Sequence, residues 1–460
     1  MKTSMKNRKS EGVNRLSRRD FVRASAALAA GAFGFPHVIT SSAFGKGARP
    51  AASERVTIGH IGVGGMGGGH VKGFVQQELA QSVATCDPVK QRRDKCADYI
   101  EEYYSQSNPT GMYKGCTRYN DFRELLCRDD IDAVVIATPC HWHVPIALAA
   151  ARAGKDIYVE KPLGLSLEWD KTLREAVGRY KNVVQYGTQQ RSGRDFRFVC
   201  ELVRNGRIGK LETILVWCAA GQPGGSLKPE PVPEGFDFDL WLGPAPKTAF
   251  NTDRCFKRGK NWISDYALGF IAGWGAHPLD IAQWGSNSDG TSPVEYEGTG
   301  AFPIDGLFNT ATAWDVWCRY ASGVKMHFMS YNIANPVLEK YGKFAGYGTM
   351  FIGTDGWLNV DRGRAYASDP VLLRTVIAPN EIQLPKSLDH RRNFLECIKT
   401  RSEPVSPIGA AVRSDTISHL SEIAIRLGRK IRWDPEKEVI IGDAEAGRML
   451  SRPMRSPWRL

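Results

Sequence analysis

The chain lacks the cysteine spacing of a metal framework. Its ten cysteines are scattered from Cys86 to Cys397 with no C-x-x-C pair, and no Cys/His cluster shows zinc-like intervals. Free buried thiols account for this scatter best, although an exported chain can close one or two disulfides. Internal repeats and low-complexity tracts are also missing, so neither a solenoid nor a disordered chain is implied. The formal charge of +12 suggests a nucleic-acid binder only until it is located: residues 1 to 48 hold nine Lys and Arg against two Asp and Glu, more than half of the surplus. What is left is the mildly basic surface of an ordinary enzyme, and no nucleic-acid partner is expected.

What is present, 460 residues with 42% hydrophobic content, suffices for two or three domains with buried cores. The first 48 residues read as a targeting segment. Ser17-Arg18-Arg19-Asp20-Phe21-Val22 precedes an apolar stretch from Ala24 to about Phe35 and then small residues to Ala48. The apolar stretch falls short of the roughly 20 residues of a membrane span, so stable membrane insertion is not expected. A basic start with a small-residue exit describes a cleaved signal, and it resembles a twin-arginine signal. The expected location is the periplasm or otherwise outside the cytoplasm, reached through the twin-arginine machinery, which carries folded proteins with their cofactors. A disordered basic tail is the alternative.

From Arg55, "RVTIGHIGVGGMGGGH" gives a β-rich run, the turn Gly62-x-Gly64-x-x-Gly67 with Met66 inside it, and the start of a helix. The first glycine permits the turn, the second lets the backbone approach a pyrophosphate, and the third lets helix pack on strand. The run "QSVATCD" ends at Asp87, 20 residues past Gly67, where a carboxylate can bind the ribose 2′-hydroxyl of NAD. Arg92 and Arg93 follow and can instead meet a 2′-phosphate, so NAD is preferred with NADP left open. Alternation continues through "DAVVIATP", "DIYVEKPLG" and "NVVQYGTQQRS", with helical segments between them. Six parallel strands joined by helices are expected, an α/β dinucleotide-binding domain over residues 53–190.

Glu160-Lys161-Pro162, the preceding "ATPCHWHVPIALAARAGKDIYVEKP" and the "GGMG" turn together resemble the family of glucose-fructose oxidoreductase, inositol dehydrogenase and MocA (Gfo/Idh/MocA). The resemblance covers nearly all of the chain after residue 48. It implies a second, α+β domain over residues 191–460 with an open, mostly antiparallel sheet that covers the nicotinamide and through whose outer face subunits commonly pair, so a homo-oligomer is expected. The sequence accords with this. "KLETILVWCAA", "TATAWDVWCRYA", "VKMHFMSYN" and "GTMFIGTDGWLNVD" read as strands, and "HRRNFLECIKT" and "AAVRSDTISHLSEIAIRLG" as helices packing back on the first domain. Gly221 to Gly235 is too proline-rich for regular structure and reads as a loop walling a cleft.

Ligands of a doubly wound sheet sit at the carboxyl ends of its strands, where Thr138-Pro139 and Glu160-Lys161 fall. A partly buried lysine beside a cationic ring can take the neutral form that accepts an alcohol proton as hydride leaves, and the resemblance gives Lys161 that role. It also places His143 near the cofactor. His141 and His143 have no carboxylates beside them, so no metal is assigned. In "GFIAGWGAHPLDIAQW", His277 and Asp280 are three apart and would share a helical face, where the carboxylate can orient the imidazole or both can bind hydroxyls. The stretch resembles the family's Asp-x-x-x-His helix, but Gly273 stands at the aspartate position. "DRCFKRGKNWISDY" interleaves basic and aromatic residues, and Arg258, Trp262 and Tyr266 are candidate ligands for a sugar.

Three functions fit. One is an oxidoreductase moving hydride between a tightly bound NAD(P) and a carbohydrate-like alcohol. Another is a redox-neutral hydrolase or lyase of the same fold that returns the hydride to its cofactor. The third is a non-catalytic sensor, against which Lys161 speaks.

Overall fold

The structure, a computed structural model, describes residues 50–106, 112–256 and 259–460. The twin-arginine stretch and Arg258 lie outside the described residues.

Six parallel strands form the first sheet: β1 (Val56–Ile61), β2 (Ala80–Cys86), β3 (Thr117–Tyr119), β4 (Ala133–Ile136), β5 (Asp156–Val159) and β6 (Val184–Tyr186). Their order, β3-β2-β1-β4-β5-β6, is that of a dinucleotide-binding Rossmann sheet. β4 and β5 are buried at every residue, as continuous apolar runs between two helix layers require. The crossovers include α1 (Gly65–Val75), α2 (Lys90–Ser105), α3 (Cys140–Arg152) and α4 (Leu167–Tyr180). β3 is three residues long and mostly exposed, and it corresponds to no apolar run in the sequence.

After α5 (Arg194–Arg204) the chain builds a nine-stranded mixed sheet in the order β13-β12-β11-β7-β10-β9-β8-β14-β15. β7 (Leu211–Cys218) and β10 (Lys325–Ser330) run parallel at its centre, and the other pairings are antiparallel. β9 (Ala313–Arg319), β11 (Gly348–Gly353) and β12 (Trp357–Asp361) match the aromatic and alternating runs. β8 (Glu295–Ala301), β13 (Arg364–Ala367), β14 (Ile431–Asp434) and β15 (Val439–Ile440) do not, being polar, short or at an edge.

The helices α6 (Ala276–Gly285), α7 (His390–Thr400) and α8 (Ile408–Leu427) join the two units. Phe394, Leu395 and Ile398 of α7 complete a core with Val56, Ile58, Phe74 and Tyr158 of the first domain. On α8, buried Asp415 accepts hydrogen bonds from Tyr186 Oη at 2.8 Å and from the Leu163 backbone N–H at 2.6 Å. The segment Gly221–Gly235 forms neither helix nor strand. All ten cysteines are free thiols. Among the described residues no helix is long and apolar enough to cross a membrane.

Candidate active site

A cleft of about 590 Å³, the size of a cofactor or drug-sized ligand site, opens at the carboxyl ends of β1, β2, β4 and β5. Gly62 turns the chain out of β1 at φ +79°, and a Cβ there would sit 2.7 Å from Thr138. Gly67 packs so closely that its Cβ would lie 1.8 Å from the Gly62 oxygen, whereas the nearest atom to a Cβ on Gly64 is 3.6 Å away, on Arg92. The first and third glycines thus make the turn, and the second leaves open space at the start of α1, where an anion meets unpaired N–H groups. Exposed Met66 lines the same opening.

Asp87 stands at the end of β2. Its Oδ2 accepts from Val63 N–H at 3.0 Å and its Oδ1 from Val89 N–H at 2.9 Å. A carboxylate has lone pairs beyond these two for ribose hydroxyls. Burial raises its pKa, opposed by these backbone bonds and by Arg92. Arg92 stacks on Phe256, and Arg93 donates to the Asp87 carbonyl and to Asn120. Thr138 and Pro139 line the cleft where α3 begins, and Thr138 Oγ1 is buried with no partner in the protein. The open space at Gly64, the acid after β2 and this orphaned hydroxyl together fit a dinucleotide. Those parts would hold its pyrophosphate and ribose.

Glu160 is held rather than available. His70 Nε2 lies 2.8 Å from its Oε1, with Gln189 Nε2 donating to the same oxygen at 3.3 Å, and the Lys161 N–H donates to Oε2. Burial opposes its ionisation, yet the His70 contact brings its pKa below the usual carboxylate range. His143 lies between two carbonyls, Nδ1 2.7 Å from the Pro162 oxygen and Nε2 2.9 Å from that of Thr138; burial lowers its pKa, and the neutral ring, with one N–H, donates to only one of them at a time. The Lys161–Pro162 peptide is cis. Lys161 Nζ donates to the Gly273 carbonyl at 2.6 Å, joining the first domain to the start of the second domain's helical layer.

His277, one turn beyond Gly273, is buried, and its pKa is held well below the usual imidazole range by burial first and then by the charges of Lys161 and Arg362. Arg362 Nη2 donates to His277 Nε2 at 3.1 Å. A guanidinium can only donate, so Nε2 is the acceptor nitrogen and the neutral ring carries its proton on Nδ1. Nδ1 is buried without a partner in the protein.

The structure corrects three sequence expectations. Asp280 does not join His277: Arg191 clamps it through Nε at 2.8 Å and Nη2 at 2.7 Å while also binding Asp289, an interior ion-pair network. Trp262 and Tyr266, 2% and 0% exposed, are packing residues. Trp262 lies 4.3 Å from the Phe270 ring, and Tyr266 packs between His141 and Trp241 with its hydroxyl accepting from Arg254. Aromatic interleaving in the sequence therefore marks a core here, not a sugar platform. The rings beside His277 are instead Trp274 and Tyr347, stacked at 4.8 Å with the Arg362 guanidinium over both. Sequence reasoning missed Arg362 because it lies on the turn after β12, 85 residues from His277.

Comparison with known proteins agrees with this geometry. Residues 56–188 match the model described as "Oxidoreductase family, NAD-binding Rossmann fold", and residues 209–334 and 360–460 match "Oxidoreductase family, C-terminal alpha/beta domain". The chain belongs to the Gfo/Idh/MocA family and has its NAD-binding oxidoreductase fold.

Among curated relatives, glycosyl hydrolase family 109 protein 1 of Shewanella sp. (strain MR-4) is 32% identical over 213 residues, 43% of this chain and 45% of that protein. An alpha-N-acetylgalactosaminidase of Shewanella oneidensis is 31% identical with the same coverage. The match thus spans less than half the length of these relatives. Among solved structures, GenD2 from gentamicin A biosynthesis, in complex with NAD, has a TM-score of 0.59 at 18% identity, covering 83% of this chain and 97% of that one. The WlbA dehydrogenase from Bordetella pertussis, in complex with NADH and UDP-GlcNAcA, has a TM-score of 0.57 at 15% identity, covering 83% and 99%. Identities this low show the fold alone.

Proposed function

We propose that the protein oxidises a hydroxyl-bearing carbon of a sugar or cyclitol-like substrate using a tightly held NAD, with Lys161 as the proton acceptor. The observation that carries this reading is the Lys161–Gly273 contact at the mouth of the glycine-turn cleft. When bound, the nicotinamide supplies a hydride acceptor. Lys161 takes the hydroxyl proton: its neutral amine still donates one N–H to the Gly273 carbonyl, which aims the nitrogen, and keeps a lone pair for the proton. Buried His143, packed between the Thr138 and Pro162 carbonyls and donating to one of them, restrains the segment that carries the lysine. Neutral His277 positions substrate by hydrogen bonding and is not a cationic acid at neutral pH.

A redox-neutral variant is the second reading, favoured by the 31–32% identity to family 109 glycosidases. Here the same proton transfer precedes elimination of an aglycone, and the hydride returns to the sugar. The proposed twin-arginine export supports it, since free nicotinamide is not expected outside the cytoplasm and the cofactor would have to be regenerated in each cycle. Fractionation of cells expressing the full chain tests the export; a subunit pairing through the outer face of the large sheet is tested by mass in solution.

The deciding experiment denatures purified protein, assays released nicotinamide, and then supplies glycosides with and without added NAD⁺. NADH formed in proportion to product supports net oxidation; turnover without it supports the redox-neutral cycle. A protein carrying and binding no nicotinamide would overturn both.

A further inference from the structure

The cleft is not walled by the first domain alone. Leu240, Trp241 and Phe256, which fall within the match to the C-terminal domain, share its wall with the glycine turn and Thr138. They belong to the segment Gly235 to Phe256, and this segment is stitched to the nucleotide-binding domain. Phe236 bridges antiparallel to Val89, the Lys90 N–H donates to the Gly235 carbonyl at 2.8 Å, and the Asp237 N–H donates to that of Pro88 at 2.9 Å. Pro88, Val89 and Lys90 directly follow Asp87, the acid placed for the ribose. Asn120 Nδ2, after β3, donates to Asp237 Oδ2 at 2.8 Å, and Trp142 Nε1, on α3, donates to the Trp241 carbonyl at 3.0 Å. β1 lies between β2 and β4 in the sheet, so a segment tied beyond the end of β2 and at the helix after β4 passes over the end of β1, where the glycine turn lies. There the Arg92 guanidinium lies 5.0 Å from the Phe256 ring, and Arg92 Nη1 is also the nearest atom to a Cβ on Gly64.

The C-terminal stretch holds the segment in turn. Arg455 donates through Nε to the Gly243 carbonyl at 2.9 Å and through Nη1 to the Asp239 carboxylate at 2.6 Å, and Trp458 packs edge-on against Trp142 at 4.7 Å. Resting on the reading that a nicotinamide dinucleotide occupies this cleft, we infer that Gly235–Phe256 is a strap that retains it, with Arg455 as the outer pin. Each hydrogen bond is modest by itself. Opening, however, breaks several together and uncovers Val89 and Phe236, which share a buried core with Trp241, so open molecules are rare. Those bonds are made within the protein, and none of them needs the nucleotide. The strap therefore governs how fast the cofactor exchanges, and loosening it speeds release.

The test loads purified protein with NAD⁺, confirms bound nicotinamide in the same preparation, adds excess isotopically labelled NAD⁺, and follows its incorporation by mass spectrometry after rapid desalting. Asp237→Ala removes the Asn120 contact and Arg455→Ala removes the outer pin, and neither residue lines the cleft. Each variant should exchange about fivefold or more faster than the parent, the factor that one lost hydrogen bond of ordinary strength implies. Arg401→Ala frees Asp156 at the opposite, amino end of β5 and controls for loss of stability alone; it should exchange within about twofold of the parent. Exchange at the parent rate in either strap variant, or equal acceleration in Arg401→Ala, would overturn the inference. A second measurement needs no variant. Under conditions where hydrogen exchange catches every opening, the Lys90 and Asp237 amides must open at least as fast as nicotinamide leaves, and nicotinamide that leaves faster than they open rules the strap out. A loaded protein that fails either comparison sinks this inference alone, whereas a protein that binds no nicotinamide sinks the reading beneath it.

Discussion

Lys161 Nζ and the Gly273 carbonyl, 2.6 Å apart, join two domains through a contact that needs no side chain on the second partner. The amine is therefore oriented by backbone, and substitution at residue 273 leaves its anchor in place. Lys161→Ala removes the proposed proton acceptor. It should lower kcat by about 100-fold or more, the range for a positioned acid–base group. Bound nicotinamide and melting temperature should stay near the parent values; turnover within about threefold of parent would take Lys161 out of its role.

The glycine turn gives a contrast that separates folding from binding. Gly67→Ala drives a Cβ onto the Gly62 oxygen at 1.8 Å and should lower the melting temperature. Gly64→Ala meets nothing closer than 3.6 Å, so the chain should fold normally while the added methyl occupies the anion's space. Folded protein with little released nicotinamide is the expected result, and parent-level nicotinamide in Gly64→Ala would remove the phosphate from this turn.

Asp280 belongs to the interior. Breaking a buried ion pair costs roughly 3–5 kcal/mol where the other charge is left uncompensated; Arg191 keeps Asp289, 2.8 Å away, so the cost here should fall below that range. Asp280→Ala should therefore be destabilised in chemical denaturation, with kcat per folded molecule near the parent value. A parent-like stability with lost turnover would return Asp280 to the chemistry.

The buried pair Asp170 and Asp415 should contribute stability that is lost as pH rises from about 4 to 7. Burial, and then the charge of Asp170, push Asp415 up to about 7, and burial raises Asp170, whose Oδ2 faces His419 Nε2 at 3.2 Å. Unfolded aspartates ionise near pH 3.9, so in this window the folded chain holds protons that the unfolded one has lost, at about 1.4 kcal/mol per pKa unit. Burial holds His60 at about 3 and His141, His390 and His419 at about 4, which raises stability with pH below about 6.5, so the aspartates are read by difference: between pH 5 and pH 8 the melting temperature of Asp170→Asn should gain on that of the parent. Parent and variant curves of the same shape would contradict the assignment.

The sequence revealed what local patterns encode. Apolar runs marked β1, β2, β4 and β5, glycine spacing marked the turn, and Lys161 was legible through the segment around it. β3 escaped because three residues at a sheet margin carry no periodicity. The i, i+3 spacing of His277 and Asp280 put both on α6 but said nothing of Arg191, which reaches Asp280 from beyond β6. Trp262 and Tyr266 looked like a binding surface because aromatic residues in a basic segment suit cores and platforms equally well, and only packing distinguishes the two. Arg362 could not be found from sequence, since the sheet's topology, not chain proximity, brings its turn over His277.

The grip of Asp415 on the Leu163 amide and the Tyr186 hydroxyl orders events during biosynthesis. A ribosome has released about nine-tenths of the chain before this aspartate emerges, so the peptide two residues past the lysine lacks this tether while the nucleotide half is already made. A product truncated before residue 408 would keep its glycine turn and the Gly273 carbonyl, yet the segment behind the lysine would gain its last hold only when the final long helix docks.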